Sequence, residues 1–99
     1  MKKTFSLRKP GLADQRVVEA IKRDLRRYVN RERAKTPPAN FDAWEFRCQV
    51  GVNAETAAPR TLKEISAAID AVAMTGAPSV YIELRAEPVV QPRRGMAGR

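Results

Sequence analysis

TLKEISAAIDAVAMTGAPSVYIELR, residues 61–85, reads as one helix running straight into one strand. Thr61 and Glu64 have capping-box spacing, in which each side chain bonds the other residue's backbone N–H. Leu62, Ile65, Ile69 and Val72 follow at three- and four-residue intervals, the apolar stripe of an amphipathic helix. Gly76 supplies the left-handed stop, and Pro78 cannot continue a helix. Beyond them Val80, Ile82 and Leu84 alternate with Tyr81, Glu83 and Arg85, the pattern of a strand buried on one face.

WEFRCQV, residues 44–50, repeats that alternation: Trp44, Phe46, Cys48 and Val50 share one side, and Glu45, Arg47 and Gln49 the other. KTFSL, residues 3–7, does so more briefly, with Phe5 and Leu7 on the apolar side. Between these two strands Val17, Val18, Ile21, Leu25, Tyr28 and Val29 recur at helical spacing. Asp14 is the expected N-cap of this helix, and Pro37 and Pro38 stop it near Lys35. TPPANFDA, residues 36–43, reads as a loop with the Phe41 ring tucked beneath it, and NAETAAPR, residues 53–60, as a connection.

The order is therefore β-α-β-α-β. Because each strand has one apolar face, both helices are expected on that face. The fold class is a small α/β domain of α+β-like character: a two-layer sandwich with a three-stranded sheet and two helices on one face. Right-handed crossovers favour sequential, parallel strands, while three strands leave mixed arrangements and the strand order open. The other face displays Thr4, Ser6, Glu45, Arg47, Gln49, Tyr81, Glu83 and Arg85. Residues 1–88 form the expected single domain, and the basic segment 89–99, without core-forming residues, a disordered tail.

With 99 residues, 43% of them hydrophobic and 30% charged, the chain has material for one core and not two. Its apolar runs are too short to span a membrane, and the opening MKKTFSLRKP lacks the apolar segment of a signal peptide. A single cysteine, Cys48, suits a reducing compartment, so a cytoplasmic, bacterial-type protein is expected. Histidine is absent, one thiol stands alone, and the glycines form no phosphate loop. These features argue against a metal site, a cofactor site and an enzyme. Cys48 lies on the apolar side of its strand, as a packed neutral thiol does. Glu45 and Glu83 are expected to pair with Arg47 and Arg85 across the open sheet face.

The net charge of +8 is unevenly distributed. Residues 1–36 carry twelve Lys and Arg against four Asp and Glu, residues 37–92 four against seven, and the last seven residues three arginines. IKRDLRRYVNRERAK, residues 21–35, holds the densest part. Its Lys22, Arg23, Arg26, Arg27, Arg31 and Arg33 spread over the side opposite the apolar stripe, with Glu19 and Asp24 placed to neutralise Arg23 and Arg27. Like charges four residues apart cost about 0.2–0.5 kcal/mol a pair, so a solvated face is tolerable; phosphates along it relieve the repulsion. Thirteen arginines against six lysines suit bidentate phosphate contacts.

Two helices separated by a strand argue against a helix-turn-helix, and Tyr81 alone on the open face does not make the base-stacking sheet of an RNA recognition motif. Tyr81 beside Arg47 or Arg85 could hold one base, but an ordinary strand tyrosine is the favoured reading. The reading is a non-enzymatic nucleic-acid-binding domain, RNA before DNA, using Lys22, Arg23, Arg26, Arg27, Arg31 and Arg33 with help from Lys2 and Lys3. The alternative is a protein-interaction or homodimerising module that covers a sheet edge and has a merely solvated basic helix. A smaller anion site is conceivable at Arg60, Thr61 and Lys63, although a capping box uses the same N–H groups. No membrane partner is expected, because the tail arginines lack a second anchoring signal.

MKKTFSL, AIKRDLRRY with RERAK, and WEFRC together resemble a small bacterial family of uncharacterised proteins over most of residues 1–86. The resemblance implies a recurring compact domain and carries no activity, cofactor or catalytic residue.

Overall fold

The computed structural model describes residues 1–11 and 13–90. The elements are β1 (Lys2–Ser6), α1 (Asp14–Arg33), β2 (Ala43–Gly51), β3 (Ala58–Arg60), α2 (Leu62–Met74) and β4 (Ser79–Val89). The expected three-stranded, parallel arrangement is corrected in both respects. The sheet has four strands in the order β1-β4-β2-β3, and every neighbouring pair is antiparallel. β4 lies between β1 and β2, so these two run parallel without touching; β2 similarly separates β3 from β4. The protein is an α+β sandwich of two interleaved β-α-β units.

β3 escapes a sequence reading because it has only three residues, APR, with a proline in the middle. Pro59 stands opposite Gln49 at the edge of the sheet, where a missing N–H costs no ladder bond. Asn53 Oδ1 accepts a bond from the Thr56 N–H at 2.9 Å, forming the turn that returns the chain from β2 to β3. A Cβ on Gly51 would lie 2.6 Å from Ala57 Cα and 2.8 Å from Ala57 N. Backbone cannot yield there as a flexible side chain does. Gly51→Ala is therefore expected to destabilise the fold by about 1–3 kcal/mol, the range for overpacking, read as a lowered urea midpoint with unchanged slope.

Val17, Val18, Ile21, Leu25 and Val29 of α1, and Ile65 and Ile69 of α2, are buried against Phe46, Cys48, Val50, Val80, Ile82 and Leu84 of the sheet. Both helices thus cover one face, as alternation requires. Cys48 is 3% exposed, and burial pushes its thiol above the usual range, leaving it neutral and packed. Phe41, expected beneath its loop, is instead 42% exposed. β4 continues through Val89, past the expected strand end at Arg85, because Ala43–Gly51 pairs with Tyr81–Val89. The rest of the expected tail, residues 91–99, lies outside the described residues.

α1 is capped at Ala13 with no side-chain bond, so Asp14 is the first helical residue and not the N-cap. Its carboxylate there still favours the positive end of the helix dipole. The α2 capping box forms as expected: Thr61 N donates to Glu64 Oε1 at 2.9 Å, and Glu64 N to Thr61 Oγ1 at 3.2 Å. The bond from the Thr61 backbone, and then that with its side chain, holds the Glu64 carboxyl below the usual glutamate range. A carboxyl depressed on folding contributes stability that is complete above its unfolded value, near pH 4.3, and lost as pH falls through the folded value. Glu64→Gln should accordingly flatten the acid side of the stability–pH curve below about pH 4.3 and leave its slope at neutral pH unchanged, measured by urea unfolding.

Candidate nucleic-acid interface

The side chains that α1 turns away from the sheet are not equivalent. Lys22 leans toward α2, where its ammonium meets Asp70 at 2.8 Å with its side chain 12% exposed. It is a tie between helices and stands apart from the free basic face. Arg26 and Arg33 point the same way and, with Lys63, border a cleft of about 410 Å³ between the helices, floored by Leu25, Val29, Ile65 and Ile69. Arg33 also lies over the Phe46 ring at 5.5 Å. On the opposite flank Arg31 borders a hollow with Lys3 and Tyr28, and Arg27, on the shoulder between this hollow and the outermost line of the helix, reaches its rim. The Arg31 guanidinium lies 5.7 Å from the Tyr28 ring centre.

Arg23 stands on the crown of α1, sharing a shallow surface with Arg16, Glu19 and Arg26. Arg16 was missed by the sequence reading, although its seven-residue separation from Arg23 sets both on one side of the helix. Among the described residues, no carboxylate comes within ion-pair distance of Arg16, Arg23, Arg26, Arg27, Arg31 or Arg33. The expected Glu19–Arg23 and Asp24–Arg27 pairs are thus absent, and the charge on α1 is left uncompensated. Of the two expected helpers, Lys3 stands beneath α1 with its ammonium 4.9 Å from the Phe5 ring. Lys2 is on the other side of the sheet, opposite Glu83.

The open sheet face neutralises itself. Register sets Arg47 against Arg85 and Glu45 against Glu87, like charges directly opposite. One diagonal bond and two contacts along the strands resolve the conflict: Arg47 donates to Glu87 across the strands and reaches Glu45 at 3.6 Å on its own strand, while Arg85 lies 3.7 Å from Glu87 on its own. The Glu87 bond holds the Arg47 guanidinium even further above the titration range. Glu83, expected to pair with arginine, accepts instead from Tyr81 Oη at 3.1 Å. Burial and that carboxylate push the Tyr81 phenol above its ordinary value. Tyr81 lies opposite Gly51, two rows from the Arg47–Arg85 row, so no slot for a stacked base forms beside those arginines.

Arg60, Thr61 and Lys63 do not converge. Arg60 and Thr61 line a hollow beside β2, whereas Lys63 borders the cleft between the helices. Thr61 is engaged by Glu64 in the capping box. Among the described residues, no group of three or more His, Cys, Asp and Glu gathers to hold a metal ion, and no helix is long and apolar enough to cross a membrane.

Fold and surface together define a small α+β domain with a charge-balanced sheet face and an uncompensated arginine face on its long helix. The chain belongs to a family of unknown function, DUF6172, whose model matches residues 1–95. No curated protein and no solved structure matches it.

Proposed function

We propose that the protein is a non-enzymatic binding domain that engages the phosphate backbone of nucleic acid, RNA in preference to DNA, through the arginine face of α1. The observation that carries this reading is the set of six arginines on one helix without a carboxylate partner among the described residues, in a domain whose sheet face is balanced. Arg16, Arg23, Arg26 and Arg27 make the central contacts, with Arg31 and Arg33 at the flanks. Lys22 serves the helix–helix tie. Twenty residues of α1 extend about 30 Å, enough to follow several phosphates. Guanidinium groups in that row release counterions from a polyanion, and they carry no base-reading geometry of their own. A backbone reader suits the shape-directed recognition of folded RNA. The proposed setting is the cytoplasm, in keeping with a lone thiol that is buried and unbridged.

The test is a fluorescence-anisotropy titration of the full chain against labelled single- and double-stranded RNA and DNA of one length and sequence. Binding to RNA near physiological salt, tighter than to the matching DNA, is expected. Absence of binding to all four at low salt overturns the reading and leaves α1 a solvated helix face.

A further inference from the structure

Leu84 exchanges both backbone bonds with Met1, at 2.8 and 2.5 Å. In an antiparallel sheet, successive residues direct their N–H and C=O groups to opposite sides. Even-numbered residues of β4 therefore point toward β1, and odd-numbered ones toward β2. Given the β2–β4 register, Ala43, Glu45, Arg47, Gln49 and Gly51 bond β4, while Trp44, Phe46, Cys48 and Val50 point the other way. β3 meets Cys48 and Val50 and then ends. Among the described residues, no other group bonds the backbone of Trp44 or Phe46, so both residues present a free N–H and C=O at the sheet edge.

The other edges are protected in ways that prevent strand addition. β1 carries Lys2 and Lys3, β3 has three residues with Pro59 among them, and Pro88 occupies an outward position on β4. At Trp44–Phe46 β2 carries neither lysine nor proline, and its one charge there, Glu45, is paired with Arg47 on the open face. Beside it lies a hollow of about 580 Å³ lined by Trp44, Phe46, Leu62, Arg33 and Arg60. Neither arginine has a carboxylate partner among the described residues.

We propose that this edge is a docking strand for an extended, acidic peptide segment of another protein, which adds antiparallel to β2 in line with β3. Two exchanged pairs of backbone bonds, at Trp44 and Phe46, supply the strand addition. Side chains opposite Trp44 and Phe46 enter the hollow, where an apolar group packs on the rings and a carboxylate meets Arg33 and Arg60. A second copy is a poorer occupant. Antiparallel self-pairing across Ala43–Arg47 sets Glu45 against its counterpart and brings together two chains of charge +8.

Trp44 is the single tryptophan, so its fluorescence reports directly on the edge. The probes are nonapeptides alternating β-branched and acidic residues, in both alternation registers. Their controls are the same peptides N-methylated at alternate amides and basic counterparts. Saturable Trp44 quenching by an acidic peptide is expected, lost on N-methylation and weakened at least about tenfold by Arg60→Glu. In the free protein the Trp44 and Phe46 amides should exchange rapidly beside protected Glu45 and Arg47, and gain protection when peptide binds. Charge reversal on the crown of α1 should leave peptide binding intact, separating this surface from the nucleic-acid face. The proposal is overturned if no acidic peptide binds, if basic peptides bind equally, or if the two amides are already protected in the monomer. Concentration-dependent dimers that protect only those two amides would give the edge to a second copy and overturn it too.

Discussion

Reversing Arg16, Arg23 and Arg27 to glutamate together is expected to lower affinity for RNA on the order of 100-fold at moderate salt and to flatten the log–log salt dependence by roughly three units. All three are exposed, and none has a carboxylate or aromatic partner among the described residues. Their loss therefore removes no internal interaction. Glutamate and arginine have similar helix propensities, and the like-charge repulsion between positions 23 and 27 at four-residue spacing changes sign of charge but not size. Thermal unfolding should stay within the usual surface range, about 0.5 kcal/mol either way, so that affinity and stability separate. Unchanged affinity would show that the crown of α1 is not the contact surface.

The largest effect on stability is expected from Ile82→Ala. Ile82 has 0% exposure and lies on β4, flanked by Lys3 of β1 and Val50 of β2. Both helices press on that face of the sheet, so the surroundings have little freedom to close over a lost side chain. The expected cost is about 2–5 kcal/mol, from lost transfer energy and the cavity left behind. A domain of this size typically has only about 5–15 kcal/mol in total, and its melting temperature falls by roughly 4–8 °C for each kcal/mol. Calorimetry reads the shift directly; a fall of less than about 1 kcal/mol would place Ile82 outside the well-packed core.

The helices and three of the strands were legible because burial imposes its period on the sequence. The stripe from Val17 to Val29, the alternation at Trp44–Val50 and Val80–Leu84, and the Thr61–Glu64 cap are local signals, and each formed where it was read. Strand order was not legible, because insertion of β4 between β1 and β2 depends on pairings across the whole chain. β3 was hidden by its brevity and by Pro59. The candidate surface was legible in its location but not in its membership. Spacing alone set Lys22 on the basic side, whereas a long flexible stem lets it reach Asp70 on the neighbouring helix. Glu87 lay beyond the expected end of its strand, so its role in balancing Arg47 could not be read either. Arg16 was available from the helical period and was passed over because the run of charge begins later.

The measurement that bears most directly on the central claim is an amide chemical-shift map of the full chain titrated with a short RNA duplex near physiological salt. Perturbations that follow the outer face of α1 through Arg16, Arg23 and Arg27, with the open sheet face at Glu45, Arg47 and Arg85 unaffected, are predicted. Saturable perturbations confined to the open sheet face or to the β2 edge would contradict the assignment of α1 as the nucleic-acid surface.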